Sequence, residues 1–154
     1  MTDTAPAPAT AEGLRGRMLD LDSHLQFPMA GLAPFFGEEV GKLGVQRARF
    51  GLRPVQQALV GDDLLREVPD VFDESNVWRV KSHLALGAHD AADRLRAMDL
   101  MGIARQLIFP MVKVATVAWR GSDDGLEAMR RYNDFVLEWP SPDRDRLRPT
   151  TLLN

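Results

Sequence analysis

The stretch that decides the fold runs from residue 90 to residue 110 and reads DAADRLRAMDLMGIARQLIFP. His89 or Asp90 can cap a helix at its start, because a polar side chain there can accept a hydrogen bond from a free amide of the first turn. Gly102 is typical of a helix end. The apolar run 106–109, closed by Pro110, is typical of a parallel strand buried on both faces. The stretch therefore predicts a helix followed by a strand.

The same rhythm recurs on either side of this stretch. Ser122 caps a second predicted helix that ends at Pro140, residues 147–154 begin a third strand-like run, and residues 17–24 alternate like a first strand. The order strand, insertion, helix, strand, helix, strand predicts an α/β protein with a parallel sheet and right-handed crossovers. The predicted helices turn apolar stripes toward the sheet, namely Leu95, Met98 and Met101 in the first and Leu126, Met129, Phe135 or Val136, and Trp139 in the second.

Two segments lie outside this rhythm. Residues 1–15 are rich in Ala, Pro and Thr and predict a disordered leader. Residues 25–81 contain scattered prolines and glycines that interrupt any long periodicity, so we expect an irregular insertion with short helices, one of them over 61–68. Residues 16–154, with this insertion, would form one partial domain.

Composition excludes several classes of function. The chain has 154 residues, 45% of them hydrophobic and 27% charged, which fits one globular domain. A net charge of -3 gives no basic patch for nucleic acid or an anionic membrane. The absence of cysteine excludes thiolate chemistry, and glycine-rich phosphate loops are absent as well. With neither a secretory signal nor an apolar run of membrane length, the expected location is the cytoplasm.

The first predicted strand carries the residues with chemical potential. In residues 17–24, RMLDLDSH, strict alternation would place Asp20, Asp22 and His24 on one face. Asp22 and His24 could then chelate one divalent ion, and a carboxylate oxygen with an imidazole nitrogen suits Zn²⁺. On spacing alone the alternative stays open that the Asp caps a turn and His24 hydrogen-bonds to the main chain.

Four segments together resemble a known family. They are MLDLDSH at 18–24, DRLRAMDLMGI at 93–103 with QLIFP at 106–110, RYNDF at 131–135 and DRLRP at 145–149. In order and spacing they are similar to the amidohydrolase superfamily, in the branch that includes aminocarboxymuconate semialdehyde decarboxylase. The resemblance implies that residues 17–154 are the N-terminal βαβαβ portion of a (β/α)₈ TIM barrel.

The resemblance also implies a function. Asp22 and His24 match the first-strand metal positions, with Asp22 where many relatives have a second His. The expected cofactor is a divalent metal, zinc first and manganese or another ion next. The enzyme would be a hydrolase or non-oxidative decarboxylase of a small carboxylated or cyclic substrate, its other metal and catalytic groups lying beyond Asn154. Relatives often dimerise, so a homo-oligomer is expected; the alternative is an inactive, truncated remnant serving at most as an oligomerising module.

The remaining polar residues are better explained structurally. We expect His83 to be an exposed loop residue, His89 a helix-start residue and Asp99 a surface partner. A loop after the second strand, with Lys113, Thr116 and Trp119, could contact substrate or simply be solvated, with the Trp packing on the helices. Seven arginines are expected to be solvated helix and turn charges: Arg94, Arg96, Arg130, Arg131, Arg144, Arg146 and Arg148.

Overall fold

The computed structural model of the chain describes residues 11–42 and 68–153. Its strands are β1 (Met18–His24), β2 (Ile103–Phe109) and β3 (Leu147–Pro149). Its helices are α1 (Ala11–Leu14), α2 (Met29–Phe36), α3 (Ala91–Met101), α4 (Val112–Ala118) and α5 (Asp123–Glu138). Residues 38–42 are also helical, and Ser82–Leu84 form one turn of 3₁₀ helix.

The three strands form one parallel sheet in the order β1-β2-β3. This confirms the predicted α/β class and the alternation of strands and helices. In the described part of the chain the sheet is open, with β1 and β3 at its edges. The (β/α)₈ barrel therefore remains a prediction.

Helix α3 has the predicted ends. The Asp90 carboxylate accepts a hydrogen bond of 2.8 Å from the Asp93 amide, so Asp90 and not His89 is the cap. Gly102 adopts the left-handed conformation at φ 74°, which favours glycine because other residues meet a steric penalty there. Strand β2 begins directly after it at Ile103, three residues before the predicted start, because Ile103 already pairs with Met18 of β1.

The buried stripes of the helices differ from the predicted ones. In α3 the buried side chains are Ala91, Arg94, Ala97 and Met98, while Leu95 and Met101 are only partly buried. In α5 the buried positions are Gly125, Ala128, Tyr132 and Val136, and Leu126, Met129 and Phe135 lie at the margin. Small residues occupy these stripes because neighbouring main chain comes close: a Cβ on Gly125 would lie 2.8 Å from the Val117 carbonyl oxygen. Hydrophobicity by itself therefore found part of each buried face: Met98, Val136 and Trp139 are buried as predicted, and the other predicted apolar residues lie at its margin.

The segment after β2 is a helix, which corrects the predicted loop. Helix α4 buries Val114, Ala115, Val117 and Ala118, which lie on one face of the helix. This helix packs against α5. Burial of these apolar side chains stabilises the helix more than the local composition suggests. Lys113 and Thr116 lie on α4, and Trp119 is its C-terminal cap.

Where they are described, the leader is more ordered than predicted, and the insertion has the short helices that were predicted. Helix α1 lies within the expected leader, and the Gly16 amide after it donates to the Gly102 carbonyl at 2.8 Å. In the insertion, Leu32, Phe36 and Val40 join the core, so the insertion is part of the domain's packing. The predicted helical turn over 61–68 lies outside the described residues except for Val68. None of the described helices is long and apolar enough to cross a membrane.

Candidate metal site at the end of β1

A β-bulge in β1 decides which side chains meet. Asp20 pairs with Gln106 of β2, but Ser23 pairs with Ile108, so β1 has one extra residue between the two pairs. The Asp20 carboxylate accepts a 2.9 Å hydrogen bond from the Gln106 side-chain amide, on the side of the sheet covered by α3. His24 pairs with Phe109, and their ring centroids lie 5.7 Å apart. Strict alternation predicted Asp20 and His24 on one face, and the bulge makes that prediction wrong.

Asp22 and His24 are brought together at the C-terminal end of β1. The Asp22 Oδ1 atom lies 3.4 Å from His24 Nε2. The Asp22 side chain is 90% exposed and that of His24 is 37% exposed, so both atoms are accessible to a small ligand or an ion. Ligands of open parallel sheets bind at the carboxyl ends of the strands, which is where this pair lies.

The second ring nitrogen of His24 is held by the main chain. His24 Nδ1 lies 3.3 Å from the Pro110 carbonyl oxygen, which can only accept a hydrogen bond. Nδ1 must therefore carry the proton, and in the neutral ring Nε2 then presents a lone pair toward the Asp22 carboxylate. An imidazole lone pair and a carboxylate oxygen are both donor types that a divalent metal ion such as Zn²⁺ binds.

Asp20 supports the main chain of the pair. Its Oδ1 accepts a hydrogen bond of 3.1 Å from the Asp22 amide, and its Oδ2 accepts the one from Gln106. Both carboxylate oxygens thus have donors within the sheet, and through them Asp20 connects the main chain of Asp22 to β2.

Arg94 is the residue that sequence reasoning missed. It was expected to be a solvated helix charge, but only 8% of it is exposed. Its guanidinium donates to the Ser23 hydroxyl at 2.6 Å, to the His24 carbonyl at 3.0 Å and to the Gly87 carbonyl. Burial lowers the pKa of Arg94 to about 10, and the nearby Asp20 charge acts in the opposite direction. The available signal was position: Arg94 is three residues after Ala91 and three before Ala97, on the face that α3 buries.

A cleft of about 360 Å³ adjoins the pair. Its wall includes Asp22 and His24 together with Trp78, Lys81 and Ser82, which lie in the segment preceding α3. The wall carries charges of both signs, with Lys81 and Arg94 positive and Asp20 and Asp22 negative.

The other candidate residues lie in structural roles. His83 is exposed on the 3₁₀ turn, as expected. The His89 ring contacts Phe27 with centroids 5.5 Å apart, and its carbonyl accepts from the Trp139 indole at 2.7 Å, which fits a helix-start residue. Asp99 pairs with Arg146 at 2.8 Å, as expected of a surface partner. Trp119 is 65% exposed and does not pack the segment onto the helices.

The donor set fits part of a zinc site. Zn²⁺ binds imidazole nitrogen and carboxylate oxygen and takes about four ligands, so Asp22 and His24 supply half of a set. Among the described residues no group of three or more His, Asp or Glu side chains is placed to hold a metal ion. Comparison of the chain with protein family models, with functionally characterised proteins and with solved structures finds no significant match.

Proposed function

We propose that this chain is the N-terminal portion of a metal-dependent TIM-barrel enzyme of the amidohydrolase type, a hydrolase or a non-oxidative decarboxylase. Asp22 and His24 are two ligands of its metal, with zinc the first choice. The observation that carries the proposal is the paired geometry: His24 Nε2 lies 3.4 Å from Asp22 Oδ1 while Nδ1 lies against the Pro110 carbonyl. Histidine metal ligands are commonly held in this way by a hydrogen bond from the other ring nitrogen.

The metal supplies the chemistry when bound, since a divalent ion acidifies a water molecule or polarises a substrate oxygen. The residues of this chain would hold the metal ion and orient the substrate. His24 and Asp22 present two donors at the mouth of the cleft, and Lys81 gives the cleft a positive charge for the carboxylate of a small substrate. The resemblance places the remaining ligands and the catalytic groups after Asn154.

The open sheet supports the barrel part of the proposal. Among the strands of the described residues β1 lies at an edge, and its Leu19 and Leu21 side chains are 61% and 66% exposed. An open edge with apolar side chains is a template for a further strand. In a barrel, the last strand would cover it.

The same edge favours a second candidate function. A chain that is an inactive remnant could use β1 to associate with a second copy and act as an oligomerising module. This candidate predicts self-association without metal dependence.

Metal binding by the full 154-residue chain tests the proposal. We expect the wild-type protein to bind zinc or manganese when titrated with the ion, and His24→Ala and Asp22→Asn to lose that binding, because they remove the two proposed ligands. His83→Ala is the matched control, because His83 is an exposed histidine outside the pair. Equal metal content in wild type and His24→Ala would contradict the proposed site.

Analytical ultracentrifugation over a range of concentrations separates the two candidates. Association that persists in His24→Ala, in a protein that holds no metal at all, would favour the oligomerising module. A metal-loaded wild type next to a metal-free His24→Ala variant would favour the enzyme.

A further inference from the structure

We infer that Arg94 is a positioning residue for the Asp22–His24 pair, an inference that rests on the proposed metal site. Arg94 lies on α3, hydrogen-bonds to the end of β1 and lines the same cleft as Asp22 and His24. None of its hydrogen bonds goes to the Asp22 carboxylate or to the His24 imidazole, so its effect on the pair is transmitted by the groups between them.

Arg94 hydrogen-bonds directly to the end of β1. Arg94 donates to the Ser23 hydroxyl at 2.6 Å and to the His24 carbonyl at 3.0 Å. The first acceptor belongs to Ser23, which lies between Asp22 and His24 in the sequence, and the second belongs to His24 itself. The direction of the His24 Cα–Cβ bond is therefore fixed by bonds to one rigid guanidinium group.

Arg94 is also connected to Asp22 by a chain of hydrogen bonds through Gln106 of β2. Arg94 donates to the Gln106 side-chain oxygen at 3.5 Å, and the Gln106 amide donates to Asp20 at 2.9 Å. Asp20 in turn accepts from the Asp22 amide at 3.1 Å. Both members of the pair are thus connected to the same arginine, one through its carbonyl and the other through its amide.

A third set of bonds fixes Arg94 itself. It donates to the carbonyls of Gly87 and Ala88, in the turn that precedes α3. All of its hydrogen-bond acceptors are neutral oxygens, so the role of the residue is geometric and does not depend on an ion pair. Only the planar fork of arginine offers five donors in fixed directions, and lysine cannot replace it.

Arg94→Gln and Arg94→Lys test the inference, with Arg96→Gln on the exposed side of the same helix as the matched control. Two quantities are measured on folded protein: the dissociation constant of Co²⁺ as a stand-in for zinc, and the ¹⁵N shifts of the His24 ring, which report its tautomer. Loss of groups that orient a metal ligand typically weakens affinity about 10–100-fold. We expect that loss in both Arg94 variants, together with a shift from the single Nδ1–H tautomer toward the mixture of tautomers expected of an exposed imidazole.

The outcomes separate this inference from the proposed function. Folded Arg94 variants with wild-type affinity and tautomer would overturn the inference and leave the metal site standing. If wild type binds no Co²⁺, the proposed function fails, and the tautomer alone decides the inference. If neither Arg94 variant folds, Ser23→Ala takes their place, because it removes a single bond; an unchanged affinity and tautomer there would equally overturn the inference.

Discussion

Gly87→Ala is the sharpest test of how the turn before α3 supports the site. Gly87 has φ 73°, and a Cβ on it would overlap the main-chain nitrogen and Cα of Arg94, with the Asp93 carbonyl carbon at 2.8 Å. These are helix main-chain atoms, which cannot rotate away as a flexible side chain can. The added methyl group must therefore push the turn off the helix.

The cost has two parts. A non-glycine residue in the left-handed conformation costs about 1–2 kcal/mol. Moving the turn also breaks the bond from Arg94 to the Gly87 carbonyl, and a buried polar group that loses its partner costs about 1–3 kcal/mol. The Ala88 carbonyl still accepts from the Gln26 amide, so its loss of Arg94 adds little. We expect Gly87→Ala to lower the free energy of unfolding by about 2–5 kcal/mol, the sum of these parts.

Gly121→Ala is the matched control. Gly121 has nearly the same backbone conformation, φ 65°, but a Cβ there would meet nothing within 4 Å. Only the conformational cost of about 1–2 kcal/mol applies. Urea unfolding followed by far-UV circular dichroism measures both variants beside the wild type. Equal destabilisation by the two substitutions would refute the close approach of the Gly87 turn to α3.

Three further predictions follow from the packing around the sheet. Tyr132→Phe removes the bond from the buried hydroxyl to the Thr150 carbonyl at 3.0 Å and should cost about 1 kcal/mol in urea unfolding. Because burial raises the pKa of Tyr132 above the ordinary value of 10.0, the wild type should also lose stability as the pH rises past about 10, and the Phe variant should lose less; parallel pH profiles would contradict this. Ser122→Ala removes the α5 cap on the Gly125 amide and should cost about 1 kcal/mol, whereas an unchanged unfolding midpoint would show that the cap is dispensable. Met98→Ala at a fully buried position should cost about 2–5 kcal/mol by the same assay, and a loss under 1 kcal/mol would mean that the core closes around the gap.

The sequence by itself determined the features that depend on neighbouring residues. Asp90 and Gly102 bound α3 and Ser122 begins α5, because a cap needs only a side chain or a left-handed glycine next to the helix end. The alternation of these helices with apolar runs was enough to predict a parallel α/β sheet, and Asp22 and His24 were identified as a pair from their spacing on one strand.

Tertiary structure decided what depends on residues distant in the chain. The bulge in β1 comes from pairing with β2, about 85 positions later, and it separates Asp20 from His24 although their spacing is even. Arg94 is buried because main-chain oxygens of β1 and of the Gly87 turn surround its guanidinium, and no local pattern specifies that arrangement. Burial of a charge is set by partners that only the fold assembles, which is why hydrophobic periodicity placed Arg94 in solvent and the structure places it behind the site.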